Sequence, residues 1–242
     1  RKTAFRRCLF LINLAPLKEG PVSLPTKLNV FDFDKTMVLT HEVEPGQALY
    51  EQLTGKPWVI PNHPTAVAHG FDPKFRRTGW WGRPETLQPV PTEFRLKSVY
   101  DAYLRCKADP EALNVLVTGR HSKIGPLVKE VLDELGYEMH EYHYKGNYPM
   151  VKHPKYPKDN NTPDFKVHAV VDHLIKPHYR FVELWEDRED IVELFNTKMK
   201  DEIKELHPQI ERLTVNDVTK DKTYHHALAA CHLRVSLKVD KG

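Results

Sequence analysis

The chain is patterned as short apolar runs ending in polar or charged residues, each followed by a longer stretch with helical spacing. Residues 28–33 (LNVFDF) are too short an apolar run for a helix, are bounded by Pro25, and predict a buried strand. "NVLVTGR" (114–120) predicts a second strand that ends in a turn. In "HSKIGPLVKEVLDELG", Ile124, Leu127, Val128, Val131, Leu132 and Leu135 share one helical face, and Gly136 stops the helix. "NTPDFKVHAVVDHLIK" (161–176) predicts a helix with Thr162 as N-cap and Pro163 in the first helical position. "YRFVELWED" (179–187) predicts another buried strand ending in acids, followed by a helix from about 189 to 206. A strand near 210–215 and a short helix near 223–231 close the pattern.

Buried strands alternating with amphipathic helices define an α/β chain, a Rossmann-like three-layer sandwich with a mostly parallel sheet. Ligands of such sheets bind beyond the carboxyl ends of the strands. Asp32, Asp34, Thr118, Glu186, Asp187 and Asp190 all fall at such ends. Residues 37–113 break the rhythm, being rich in Pro and Gly through residue 91 and then helical near 93–107. They read largely as a cap-like insertion covering the site. The expected organisation is a basic arm over 1–26 and one domain over 27–242.

The 242 residues suffice for one full core. Thirty-six Lys and Arg against 33 Asp and Glu give a net charge of +3, too small to argue for nucleic acid by itself. The cysteines (Cys8, Cys106, Cys231) are odd in number and form no CxxC, which favours a reducing compartment over a disulfide scaffold. The longest apolar run, around 8–17, is too short to span a bilayer, so no membrane partner is expected. The first 18 residues carry Arg1, Lys2, Arg6, Arg7 and Lys18 with no acid, as an organelle transit segment, a basic arm or a solvated tail would. The expected location is intracellular: mitochondrial on the transit reading, cytoplasmic or nuclear otherwise.

Two carboxylates one residue apart at the end of a buried strand are costly unless a cation or a reaction holds them. Mg²⁺ takes hard oxygen ligands and needs one or two carboxylates plus substrate phosphate, which Asp32 and Asp187 would supply. Asp32 is then the candidate nucleophile toward phosphorus, with Asp34 as proton donor to the leaving oxygen and base toward water. Thr118 with neighbouring amides would hold the phosphoryl oxygens, and Lys166 would neutralise their growing charge.

"DFDKT", "VTGR", "DFK" and "EDRED", in this order and at these strand ends, resemble the four motifs of the haloacid dehalogenase (HAD) phosphohydrolase superfamily. The resemblance implies Asp32 as nucleophile, Asp34 as acid/base, Thr118 as phosphate ligand and Lys166 as charge neutraliser. It also implies an Mg²⁺ site at Asp32 and Asp34, completed by Asp187 with Asp190 or Glu186. Over residues 28–200, "GWW" (79–81), "LVTGR", "TPDFK" and "WEDREDIVELF" resemble the HAD domain named Swiss Army Knife RNA-repair-like, and the tail is similar to the 3′-phosphatase half of polynucleotide kinases. One departure is Lys35, which stands where many HAD phosphatases have Gly and is a candidate substrate contact.

Two segments have the composition of single-strand binders, basic groups interleaved with aromatics. "FDPKFRRTGWWGR" (71–83) offers Arg76, Arg77, Trp80 and Trp81; "YHYKGNYPMVKHPKYPK" (142–158) offers lysines between tyrosines. The alternative is that the tryptophans pack the insertion and the second segment is a solvated loop. Arg120 and Arg188 are candidates for substrate contact or for pairing with a nearby carboxylate. The fourteen histidines invite zinc, but the nearest cluster (His225, His226, Cys231, His232) fits no common structural pattern. Three functions follow: a phosphatase acting on nucleic-acid 3′ ends or nucleotides, an RNA-binding or structural subunit of a ribonucleoprotein, and a small-metabolite phosphatase.

Overall fold

The computed structural model describes residues 23–58, 80–87, 95–146 and 161–230. Among these described residues five strands form one all-parallel sheet: β1 (Lys27–Phe31), β2 (Ala112–His121), β3 (Glu141–Lys145), β4 (Phe181–Glu186) and β5 (Arg212–Asp217), in the order β3-β2-β1-β4-β5. β1 is central, pairing with β2 on one side and β4 on the other. That position explains its apolar run, since a central parallel strand is covered on both faces.

Helices fill the two outer layers. α1 (Val43–Thr54) and α2 (Lys97–Lys107) lie between β1 and β2, and α3 (Gly125–Glu134) joins β2 to β3. α2 and α3 pack Val99, Tyr103, Val128 and Leu132 against Phe31 and Leu116. On the opposite face α4 (Thr162–Leu174), α5 (Glu189–Asn196) and α6 (Lys198–Leu206) cover Val30, Val115 and Leu184 with Phe165, Val170, Phe195 and Ile203. The expected three-layer α/β sandwich is therefore the fold. Among the described residues no helix is long and apolar enough to cross a membrane.

Several boundaries differ from the sequence expectation. α2 begins at Lys97 rather than near 93 and belongs to the sheet's own crossover layer. The helix expected over 189–206 is two helices, broken where Thr197 leaves helical backbone (φ −112°, ψ −95°). Asn161, not Thr162, caps α4 by accepting the Asp164 amide, which leaves Thr162 as the first helical residue. Residues 142–145, expected as part of a basic loop, belong to β3. Its companion lysines at 152, 155 and 158 lie outside the described residues, as do Arg76 and Arg77.

Candidate active site

The carboxyl ends of β1, β2 and β4 meet the N-terminus of α4 around a cavity of about 350 Å³. Asp32 leaves the end of β1 with its amide bonded to the Trp185 carbonyl of β4 (3.1 Å), which sets it beside Glu186 and Asp187. Oxygens of Asp32, Glu186 and Asp187 all lie within 4.8 Å of one another. Asp32 and Asp187 line the cavity, whereas Glu186 lies behind them against the core.

Lys166 holds this cluster together. α4 carries it, 4% exposed, to 2.7 Å from Asp32 Oδ1, and its ammonium also donates to Glu186 Oε2. Asp32 and Glu186 keep Lys166 above the usual lysine range despite its burial. Burial pushes Asp32 up to about 7, the Lys166 charge opposing it and Glu186 and Asp34 adding repulsion. Burial likewise lifts Asp187 to about 6, with the neighbouring Asp32 charge contributing. Carboxylates lifted this way mark a place where a cation would be stabilised. The donors are hard oxygens from two strand ends opening onto a cavity, and they fit Mg²⁺.

Asp34 is held differently. Arg120 donates Nη2 to Asp34 Oδ1 (2.6 Å) and Nε to Oδ2 (2.9 Å), while the Thr40 hydroxyl donates to Oδ1 (2.8 Å). Of the two roles open to Arg120 from sequence, the carboxylate pair is the one observed. Fully buried, Arg120 also donates Nη1 to the Trp81 carbonyl (2.9 Å) and to the Thr86 hydroxyl, tying residues 80–87 to the site. Lys35 has φ 55°, the left-handed backbone that glycine adopts without strain, so Gly and this Lys would meet the same turn at different cost. Its ammonium pairs with Glu42 (2.5 Å) and lies 3.4 Å from Asp187, and these contacts outweigh its burial and push it up to about 12.

The remaining candidates divide. Thr118 is buried, and its hydroxyl accepts the Arg120 amide (3.2 Å); the cavity wall is made by its neighbour Gly119 instead. A Cβ at Gly119 would sit 2.9 Å from the Thr162 methyl, so a larger residue there would displace Thr162. Trp80 is a packing residue: 7% exposed, edge-on to Trp58 (4.9 Å), its ring against Gly46. Trp81 lines the cavity, with Arg120 over its ring at 5.1 Å. Arg188 also lines the cavity and forms a forked pair with Asp190 (2.6 and 3.1 Å), so Asp190 stands outside the carboxylate cluster and Glu186 stands inside it. Thr162 lines the cavity at the start of α4 and was not among the sequence candidates. The hint was present in the capped helix start, since a helix N-terminus directs amides at an anion.

A central parallel strand ending in Asp32 and Asp34, with a buried lysine bridging it to an acidic strand end, defines a domain of the HAD type. Residues 65–229, more than half of the chain, match the family described as HAD domain family 1 in Swiss Army Knife RNA repair proteins, and the chain belongs to that family. The matched segment starts after β1, and the sheet joins the two aspartates to it through β2 and β4. No curated protein and no solved structure matches the chain.

Proposed function

We propose that the protein is an Mg²⁺-dependent phosphomonoesterase that carries the phosphoryl group on Asp32 and acts on a nucleic-acid 3′-phosphate or a nucleotide. The observation that carries this reading is Lys166, buried between Asp32 and Glu186 under a cavity that Asp32 and Asp187 open onto. An ammonium there holds Asp32 oriented and meets the charge that grows on the phosphoryl oxygens.

The Asp32 oxygen attacks phosphorus as the bond to the leaving oxygen breaks, and Asp34 gives that oxygen a proton. Asp34 then takes a proton from water, which attacks the same phosphorus and releases phosphate and the free Asp32 carboxylate. Asp34 Oδ2, which takes Arg120 Nε, suits this role better than Oδ1, which takes both Arg120 Nη2 and the Thr40 hydroxyl. Asp32 and Asp187 would hold Mg²⁺, which would supply the positive charge that lets an anionic phosphate approach them. Gly119 and Thr162, at the strand end and helix start, are the surfaces for the phosphoryl oxygens.

The nucleic-acid part rests on the family described above and on Trp81, an aromatic side chain at the wall of the cavity that Arg188 also lines. Phosphate release should be compared among 3′-phosphorylated RNA, its DNA counterpart, a 5′-phosphorylated RNA, a nucleoside monophosphate and an aryl phosphate. A preference of at least about tenfold for a 3′ end supports the repair reading (about 1.4 kcal/mol of discrimination). Equal rates on all of them would make this a general phosphatase. Salt-sensitive RNA binding without turnover would favour the ribonucleoprotein subunit instead.

A further inference from the structure

We propose that Glu141, His143 and His173 form a second metal site, for zinc, that clamps the C-terminal end of α4 to the edge strand β3. Glu141 and His143 are two residues apart on one face of β3, while Tyr142 and Tyr144 occupy the other and pack toward α3. His173 comes from the last turn of α4, which lies over that first face. His143 Nε2 is 3.0 Å from His173 Nε2, and Glu141 Oε2 is 3.3 Å from the first and 3.6 Å from the second.

Two of these three separations, 3.3 and 3.6 Å, are those of a metal polyhedron, and the 3.0 Å between the imidazole nitrogens lies a few tenths of an ångström short of one. With zinc–ligand bonds of about 2.0–2.2 Å, neighbouring atoms of a tetrahedron lie about 3.3–3.6 Å apart. As a hydrogen-bonded group, one imidazole Nε2–H donates to the other Nε2 and both nitrogens share one carboxylate oxygen. Among the described residues Nδ1 of His173 is buried with no hydrogen-bond partner, and the Nε2 contacts are the polar contacts that orient this ring. Burial holds both imidazoles below the usual histidine value, which favours the neutral form that binds a metal. Glu141 is partly exposed (38%), which leaves an entry path and room for water as a fourth ligand.

The donor sets sort the metals. Asp32, Glu186 and Asp187 offer oxygen alone and suit Mg²⁺; two imidazoles and one carboxylate suit zinc and its first-row neighbours. Lys166 and His173 are seven residues apart on α4, two helical turns or about 10 Å, so the clamp is separate from the cavity. It would fix the helix that presents Thr162 and Lys166 to the cavity, making it structural rather than catalytic.

The test uses the full chain, stripped with chelator, reloaded with Zn²⁺ in the presence of Mg²⁺, dialysed and assayed for metal content. The expected result is about one retained zinc per chain and a raised melting temperature. Glu141→Gln and His143→Gln should each weaken zinc binding by at least about tenfold, since even outer-shell partners of zinc are worth that much. Asp32→Asn should keep it. Co²⁺ in place of Zn²⁺ should give the visible absorption of a four-coordinate site, lost in the same variants. Wild type retaining no zinc, or His143→Gln retaining as much as wild type with unchanged Co²⁺ absorption, overturns the proposal. Circular dichroism on each variant separates loss of a ligand from loss of the fold, and the more accessible His143 carries the test if His173→Gln does not fold.

Discussion

Replacing Lys166 with methionine tests the electrostatics of the site in a single change. The side chain is of similar length and apolar, so packing is largely kept, while Asp32 and Glu186 lose the ammonium that both contact. Breaking a buried ion pair by removing one partner costs about 3–5 kcal/mol, and here two carboxylates are left at once. Urea unfolding in chelator at about pH 8 should therefore show a loss of at least about 3 kcal/mol. The pH dependence gives the sign. In wild type Asp32 and Asp187 stand at about 7 and about 6, above their unfolded value of 3.8, so the folded state binds more protons and stability falls as pH rises through that window. Lys166 is raised above 10.5, so its stabilisation is fully present throughout the window and is lost only at still higher pH. Without it the carboxylates hold protons to higher pH. The deficit should shrink on acidification by about 1.4 kcal/mol per pH unit over which the variant binds one proton more than wild type. A loss under about 1 kcal/mol that does not change with pH would refute the view that Lys166 holds these carboxylates.

Three further outcomes follow from individual contacts. Lys35→Gly and Lys35→Ala remove the same ammonium, but the turn at φ 55° should leave the Gly variant about 1 kcal/mol more stable in urea unfolding. Trp80→Ala should cost about 3–5 kcal/mol of stability, whereas Trp81→Ala should cost less and raise KM for the preferred phosphate ester; the reverse ranking would exchange their roles. Burial pushes the Cys106 thiol up to about 11, so peptide-resolved alkylation near neutral pH should be slow for Cys106 in the native protein and fast in denaturant.

The central strands were legible because they are covered on both faces and read as unbroken apolar runs. β3 was not: as an edge strand it reads EYHYK, with polar and aromatic residues alternating, and it continues into a lysine-rich stretch that resembles a loop. The break at Thr197 was hidden because amphipathic spacing continues through it into α6. At the site, Asp32, Asp34, Glu186 and Asp187 stood out as carboxylates at strand ends. The partner of Arg120 did not, since the sequence offers this guanidinium both phosphate and carboxylate, and packing decides between them. His143 and His173 meet across thirty residues with no spacing that announces a site, whereas the histidines that cluster in sequence are His225, His226 and His232.

The most direct test of the account is phosphate release from a 3′-phosphorylated RNA oligonucleotide with Mg²⁺, wild type beside Asp32→Asn. Asn keeps the shape of the side chain and removes the nucleophilic oxygen, so the account predicts steady release by wild type and at least about a thousandfold less by the variant, roughly 4 kcal/mol of lost transition-state stabilisation. Equal rates from both proteins would contradict the assignment of Asp32. No release by wild type from the RNA or from an aryl phosphate, in a protein that remains folded, would contradict the enzymatic reading itself.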